Sequence, residues 1–194
     1  TYIALGRLTN LALAISLDPN LIDLISEVVV MGGAIHQPGN ATPVSSANLF
    51  GDVMAASVVY GSGLKIAQIG LDVCNRVELS VAEQEKVWEL GSPVSKFLKE
   101  ITPFIQSAYG KIGTAKDGAV RYNDMPAVGY AIDASLFTCE SLKIGIETEG
   151  KYTKGQTVDG TRRNYIEDAN FVSVALDVDE TNLKKLWFEI ISSY

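Results

Sequence analysis

Apolar residues gather in short runs along the chain, at residues 2–5, 28–31, 65–73, 142–146 and 171–178. Several of these runs show no polar alternation. A run that is apolar on both faces fits a parallel strand covered by helices on either side. Between the runs, apolar positions recur at helical spacing, and helices are predicted over residues 11–17, 21–26, 53–60, 81–90, 94–108, 124–132 and 181–191. Capping residues mark several of their starts. Thr9 or Asn10 can cap the first, Asn20 the second and Asp52 the third, which Gly61-Ser62-Gly63 closes. Ser80 followed by Glu83 reads as a capping box. Ser92 or Pro93 opens the next helix.

Strands alternating with helices predict an α/β fold: an open, mostly parallel, Rossmann-like sheet flanked by helices, with right-handed crossovers. No repeat, low-complexity tract or long linker interrupts the pattern, so residues 1–194 read as a single domain. The chain opens at Thr1 inside an apolar run, and an N-terminal part is expected to precede it. Hydrophobic residues at 47% and charged residues at 20% are ordinary for a globular protein. The net charge of −7 argues against a nucleic-acid backbone or an anionic membrane as partner. No run of apolar residues is long enough to span a bilayer. The two cysteines, Cys74 and Cys139, form neither a disulfide framework nor a zinc pattern. They read as free thiols of a reducing compartment, so the expected location is cytoplasmic.

In open α/β sheets, ligands bind where loops leave the carboxyl ends of the strands. Two such loops carry chemistry, residues 32–52 and 110–124. The first begins Met31-Gly32-Gly33, where paired glycines allow a tight turn or a close backbone approach. It continues through Gly39-Asn40-Ala41-Thr42-Pro43 to Asn48. Amides both donate and accept, which suits sugar hydroxyls, although Asn is also common in plain turns. The second ends at Asn123-Asp124-Met125-Pro126, where Asp124 is either a helix cap or a carboxylate ligand for a hard cation. The lone His36 reads as incidental. Neither a dinucleotide nor a P-loop glycine pattern is present.

In this order, these pieces resemble the inosine-uridine preferring nucleoside hydrolase family. Leu5-Gly6-Arg7-Leu8-Thr9-Asn10-Leu11-Ala12 is similar to its Gly-Pro-Leu-Thr-Asn-x-Ala stretch. Residues 28–52 resemble its Met-Gly-Gly … Gly-Asn-x-Thr-Pro-x-x-Glu-x-Asn stretch, with a plant-like flavour at Ala47-Asn48-Leu49-Phe50-Gly51-Asp52. Residues 123–137 resemble His-Asp-Pro-x-Ala-Val … Leu-Phe, and residues 150–157 resemble Arg-Gly-x-Thr-x-Gly. The resemblance covers nearly the whole chain.

The resemblance implies hydrolysis of a ribonucleoside to ribose and base, by a water bound to a calcium ion. It implies a small-molecule nucleoside as partner and a dimer or tetramer as assembly. Leu5, through its carbonyl, and Asp124 match calcium ligands; Asp124 also matches a ribose contact. Asn40 and Asn48 match ribose-binding amides, and Tyr109 and Tyr122 fall where a base pocket would be lined. The family's ribose-binding Glu falls at Ser46 and its His at Asn123; neither replacement is a useful acid near pH 7. Met54 stands where the family has another Glu. The family's N-terminal Asp-x-Asp-x-x-x-Asp-Asp stretch, which supplies the proton acceptor and most metal carboxylates, has no match. No catalytic group is therefore carried over, and calcium affinity is expected to be weak or absent. Two further readings stay open: a catalytically degenerate binding or structural domain of the same fold, and an unrelated α/β sugar- or nucleotide-binding module.

Overall fold

In the computed structural model, the strands form one mixed sheet in the order β1-β2-β3-β6-β4-β5. The structure describes residues 1–111, 118–167 and 169–194, without the side chains of residues 109–111. The strands are β1 (Tyr2–Ala4), β2 (Val28–Met31), β3 (Ile66–Ile69), β4 (Phe137–Ile146), β5 (Thr157–Asp159) and β6 (Phe171–Val178). β1, β2, β3 and β6 are parallel neighbours. β4 runs against β6, and β5 against β4. Every residue of β2 and β3 is buried, as their largely apolar sequences require, with Gln68 of β3 bonded to the Tyr60 hydroxyl.

Helices α1 (Thr9–Leu17), α2 (Leu21–Leu24), α3 (Ala47–Phe50) and α4 (Val53–Gly61) precede β3. They are followed by α5 (Leu71–Cys74), α6 (Val81–Glu89), α7 (Pro93–Lys111), α8 (Met125–Ile132) and α9 (Glu180–Ser192). Two cores result, one on each face of the sheet. Alternate strand residues divide between them: Val28 and Val30 join α1 and α4, whereas Val29 and Met31 join α8 and α9.

Several details depart from the sequence reading. The run 65–73 is not one strand. Gly70 ends β3 and α5 begins, with the Leu71 N–H donating to the Gly33 carbonyl at 2.9 Å. β4 starts five residues earlier than predicted, at Phe137, and pairs with β6 almost throughout. The short β5 and α3 carry no periodic signal and were not predicted. Neither Thr9 nor Asn10 caps α1, whose N-cap position is Leu8, and Asn20 makes no cap bond for α2. The capping box at Ser80 and Glu83 forms as predicted.

Thr9 instead reaches across to the next helix. Its hydroxyl donates to Asp52 Oδ2 at 2.5 Å, while Asp52 Oδ1 accepts the Ala55 N–H at 3.0 Å. Asp52 thus caps α4 and ties it to the start of α1. The Thr9 hydroxyl and the Ala55 N–H hold the Asp52 carboxyl below the usual carboxylate pKa. Asp52→Ala is expected to cost about 1–2 kcal/mol at pH 7, read by urea unfolding. Because the folded-state pKa is depressed, this contribution is complete above the ordinary carboxylate pKa and is lost as pH falls through the lowered value. Wild type and variant therefore converge in acid; an unchanged midpoint at pH 7 contradicts the role.

Candidate functional site at the strand ends

β1 and β2 end side by side, and the chain leaves both at the same edge of the sheet. After β2 it turns sharply. Gly33 has φ of 85°, and a Cβ there would lie 2.6 Å from the Gln68 carboxamide. Glycine is required on both counts. The next backbone N–H groups have no regular ladder to join. Gly33 donates to Ser46 Oγ at 2.8 Å and Ala34 to Thr157 Oγ1 at 3.1 Å. Ile35 and His36 donate to the two oxygens of the buried Asp72 carboxylate, at 2.9 and 2.7 Å. Further on, Gly39 is enclosed so tightly that a Cβ would meet backbone atoms of Thr42 and Ser45 at 2.3 Å. Ser45 fastens the loop to the Lys154 carbonyl at 2.6 Å.

This pinned loop forms one wall of a hollow of about 430 Å³. Leu5 and Met31 contribute the strand ends, and Asn40, Ser46, Ala47 and Asn48 the loop. Ile101 and Ile105 enter from α7, and Arg121, Tyr122, Asn123 and Asp124 from the segment before α8. Leu5, Asn40, Ser46, Asn48, Tyr122, Asn123 and Asp124, singled out from sequence, thus converge on one cavity. The Tyr109 side chain and residues 112–117 of the second loop lie outside the described residues. His36 is exposed and does not line the hollow.

The two amides are fixed in complementary senses. Asn40 Oδ1 accepts the Ala47 N–H at 2.8 Å, which leaves its NH₂ as the group to offer a ligand. Asn48 is the reverse. Its Nδ2 donates to the carbonyls of Leu5 at 3.2 Å and Met31 at 3.0 Å, leaving Oδ1 as acceptor. One side chain thereby staples the ends of β1 and β2. The Ser46 hydroxyl oxygen is engaged by Gly33 in holding the turn.

Asp124 occupies the N-cap position of α8 but has helical φ and ψ and makes no cap hydrogen bond. The plain-cap reading therefore fails, and the carboxylate borders the hollow instead. It keeps an accessible face at the mouth, yet the packed groups around it raise its pKa by desolvation. Behind it, Cys74 is buried and its thiol pKa is pushed up by burial, while Cys139 is half-buried; neither is in a disulfide. Tyr122 stacks on Trp187 with ring centroids 5.7 Å apart. Its hydroxyl meets Thr102 Oγ1 at 2.6 Å.

Sequence reasoning missed the residues that hold the loop, namely Ser45, Asp72 and Thr157. Asp72 had a visible signal, a lone carboxylate inside an apolar run. Ile101 and Ile105 were missed as lining residues because only the tertiary fold brings α7 over the hollow, and Arg121, in the segment before α8, was missed as well.

A mixed α/β sheet whose parallel strands end at a hollow lined by amides, a carbonyl and a carboxylate defines a domain suited to a small hydroxylated ligand. The sequence profile of the family described as inosine-uridine preferring nucleoside hydrolase matches residues 1–185. The chain belongs to that family. It is 34% identical over 194 residues to an inosine-uridine preferring nucleoside hydrolase of Leishmania major, covering all of this chain and 59% of that protein. Identity is 32% over 200 residues to a pyrimidine-specific ribonucleoside hydrolase, RihA, of Klebsiella pneumoniae, with 61% of that protein covered. Among solved structures, a plant nucleoside hydrolase superposes with a TM-score of 0.90 at 26% identity, over 99% of this chain and 61% of that one. A purine-preferring ribonucleoside hydrolase from Gardnerella vaginalis gives 0.88 at 30% identity, over 99% and 60%. The chain thus spans about 60% of the length of these relatives.

The calcium implied by the family resemblance does not fit the donor set of this chain alone. Ca²⁺ takes roughly six to eight oxygen ligands, several of them charged. Among the described residues, Asp124 is the one carboxylate of the hollow, and the Leu5 carbonyl already accepts from Asn48. No group of three or more acidic, His or Cys side chains able to hold a metal occurs among the described residues.

Two measurements probe this site. Calorimetric titration of the 194-residue chain with Ca²⁺ is expected to show no micromolar binding; a micromolar isotherm contradicts the account. Asp124→Asn is expected to melt at or above the wild-type temperature at pH 7, because ionising a desolvated carboxylate opposes folding. With its folded pKa raised, that penalty grows as pH rises from the ordinary carboxylate range through the raised value and is absent in acid. A clearly lower melting temperature for the variant at pH 7 would refute it.

Proposed function

We propose that the hollow receives the ribose of a ribonucleoside and that the protein cleaves the N-glycosidic bond to give ribose and a free base. The observation that carries this reading is the convergence of Leu5, Asn40, Asn48 and Asp124 on one cavity at the carboxyl ends of the strands. The bonding already in place sets the part each plays. Asn40 donates to a sugar hydroxyl and Asn48 Oδ1 accepts from one. Asp124 accepts from the vicinal hydroxyls, which fixes the ring face that meets water. Such positioning replaces a costly encounter with a bound geometry. The volume suits a ribonucleoside, since pockets for small ligands run to a few hundred Å³ or more.

In this reading, the reaction is attack of water on the anomeric carbon as the bond to the base breaks, through an oxocarbenium-like state. The residues of this chain orient the sugar. Ser46 and Asn123 stand at the family's Glu and His positions and transfer no proton usefully near pH 7. Those two replacements support a second reading, a nucleoside-binding domain without turnover. Self-association into a homo-oligomer and a cytoplasmic location belong to the same proposal, as does folding of the 194 residues as one cooperative unit. No helix among the described residues is long and apolar enough to cross a membrane.

The deciding experiment is release of free base from uridine and inosine by the natural polypeptide carrying this chain, with and without Asp124→Ala. Hydrolysis reduced by about 100-fold or more in the variant supports the enzyme reading. Equal activity in both removes Asp124 from the mechanism. Binding of uridine without turnover selects the binding domain.

A further inference from the structure

Residues 150–157, one of the four pieces of the family resemblance, line no part of the hollow. They close the connection between β4 and β5, which pair through Ile146 and Thr157. This hairpin is held by its own bonds. The Glu147 N–H donates to the Gln156 carbonyl at 3.0 Å, and the Gly155 N–H to the Glu147 carbonyl at 2.7 Å. The Glu147 carboxylate braces the turn, accepting from the N–H groups of Glu149 and Gly150 at 2.8 and 3.0 Å. Those two donors hold its carboxyl below the usual carboxylate pKa.

The hairpin meets the loop that carries Asn40 at both of the loop's ends. At the start, the Thr157 hydroxyl accepts the Ala34 N–H at 3.1 Å and donates to the Ala34 carbonyl at 2.9 Å. One buried side chain thus satisfies both backbone groups of a buried residue, as a neighbouring strand would. At the end, the buried Ser45 hydroxyl donates to the Lys154 carbonyl at 2.6 Å. Beyond it, the Gly155 backbone lies against α3, where a Cβ would stand 3.1 Å from the Phe50 Cα. Ile35 of the loop and Ile146 of β4 pack on the same core. The two clasping contacts join residues 123 and 109 positions apart, so nothing local to the loop replaces them. β5 itself is a three-residue strand at the end of the sheet. An edge that short is a small part of the ladder, so loosening it disturbs the loop before it disturbs the fold.

Resting on the ribonucleoside reading, we propose that the β4–β5 hairpin is the positioning element of the site: Thr157 and the Lys154 carbonyl, by fixing Ala34 and Ser45, set how tightly the hollow holds a sugar. Thr157 is a positioning residue and does not line the hollow. Asn40 lies between the two fixed points, and Asn48 three residues past the second. Asn40 Oδ1 reaches the Ala47 N–H, and Asn48 Nδ2 the Leu5 and Met31 carbonyls, only while both points hold. Hydrogen bonds weaken steeply with misalignment, so a small shift of the loop spoils both amides together. The loss falls on the sugar, whatever base it carries.

The test joins amide hydrogen exchange to calorimetric titration of the natural polypeptide carrying this chain. The ligands are ribose and pseudouridine, whose carbon–carbon bond to the base resists hydrolysis. Thr157→Val keeps the shape but removes both bonds to Ala34. It is expected to speed exchange across residues 34–47 by about 10-fold or more and to weaken both ligands by the same factor, about 5- to 10-fold. Thr157→Ser, which keeps the hydroxyl, stays within about 2-fold of wild type. Ser45→Ala gives a smaller loss in the same direction. Asp52→Ala, which loosens α4 instead, leaves exchange at 34–47 and both affinities unchanged. Unchanged exchange in Thr157→Val overturns the inference, as does an equal loss of affinity in Asp52→Ala. Should thermal melting show Thr157→Val unfolded, Ser45→Ala decides: wild-type exchange and affinity there overturn the inference. A wild type that binds neither ligand overturns the ribonucleoside reading, and the exchange rates then judge the clasp by themselves.

Discussion

Four successive backbone N–H groups, from Gly33 to His36, donate to side-chain oxygens rather than to the backbone. This is the constraint on which the rest depends. A buried amide without an acceptor is costly, and an irregular loop has no ladder to provide one. Ser46, Thr157 and Asp72 supply the acceptors from three separate parts of the chain. Their partnership fixes the path of the loop, and the path fixes Asn40 and Asn48. The chemistry at the strand ends is therefore only as well placed as these three residues, of which Ser46 alone lines the hollow.

Much of the fold was readable because its central strands are simple. β2 and β3 are apolar at nearly every position, and only a strand covered on both faces tolerates that. The Asp52 and Ser80 caps were readable because a cap is a local event, settled within four residues. What failed was what tertiary context decides. Gly70 breaks an apolar run because the chain there must meet the Gly33 carbonyl, a partner 37 residues away in sequence. Thr9 resembles a cap, but Asp52 offers it a charged acceptor. The contribution of Ile101 and Ile105 to the hollow was invisible for the same reason: the amphipathic pattern of α7 marks a buried face without naming what it covers.

The site was legible to a different degree. Asn40, Asn48 and Asp124 stood out as polar residues at strand ends, and the fold brings them together. Their division of labour was not legible, because which end of an amide is engaged depends on its neighbours. The same holds for Ser46. In sequence it reads, by resemblance, as a small residue where the family has an acid. In the structure its hydroxyl secures the turn at Gly33, a local duty that a glutamate reaching into the hollow would perform differently. Ser46 thus supports the loop as well as lining the cavity.

The Asn48 carboxamide links the cavity to the sheet. Its nitrogen holds two strand ends, and the residue lines the cavity with its oxygen left as an acceptor. Charge is shared across an amide, so a hydroxyl arriving at the oxygen draws electron density from the nitrogen and makes its hydrogens better donors. A guest held at that oxygen would thereby tighten the grip on Leu5 and Met31. Occupancy would become stiffness at the sheet's rim, the same plane of atoms serving as both sensor and clamp.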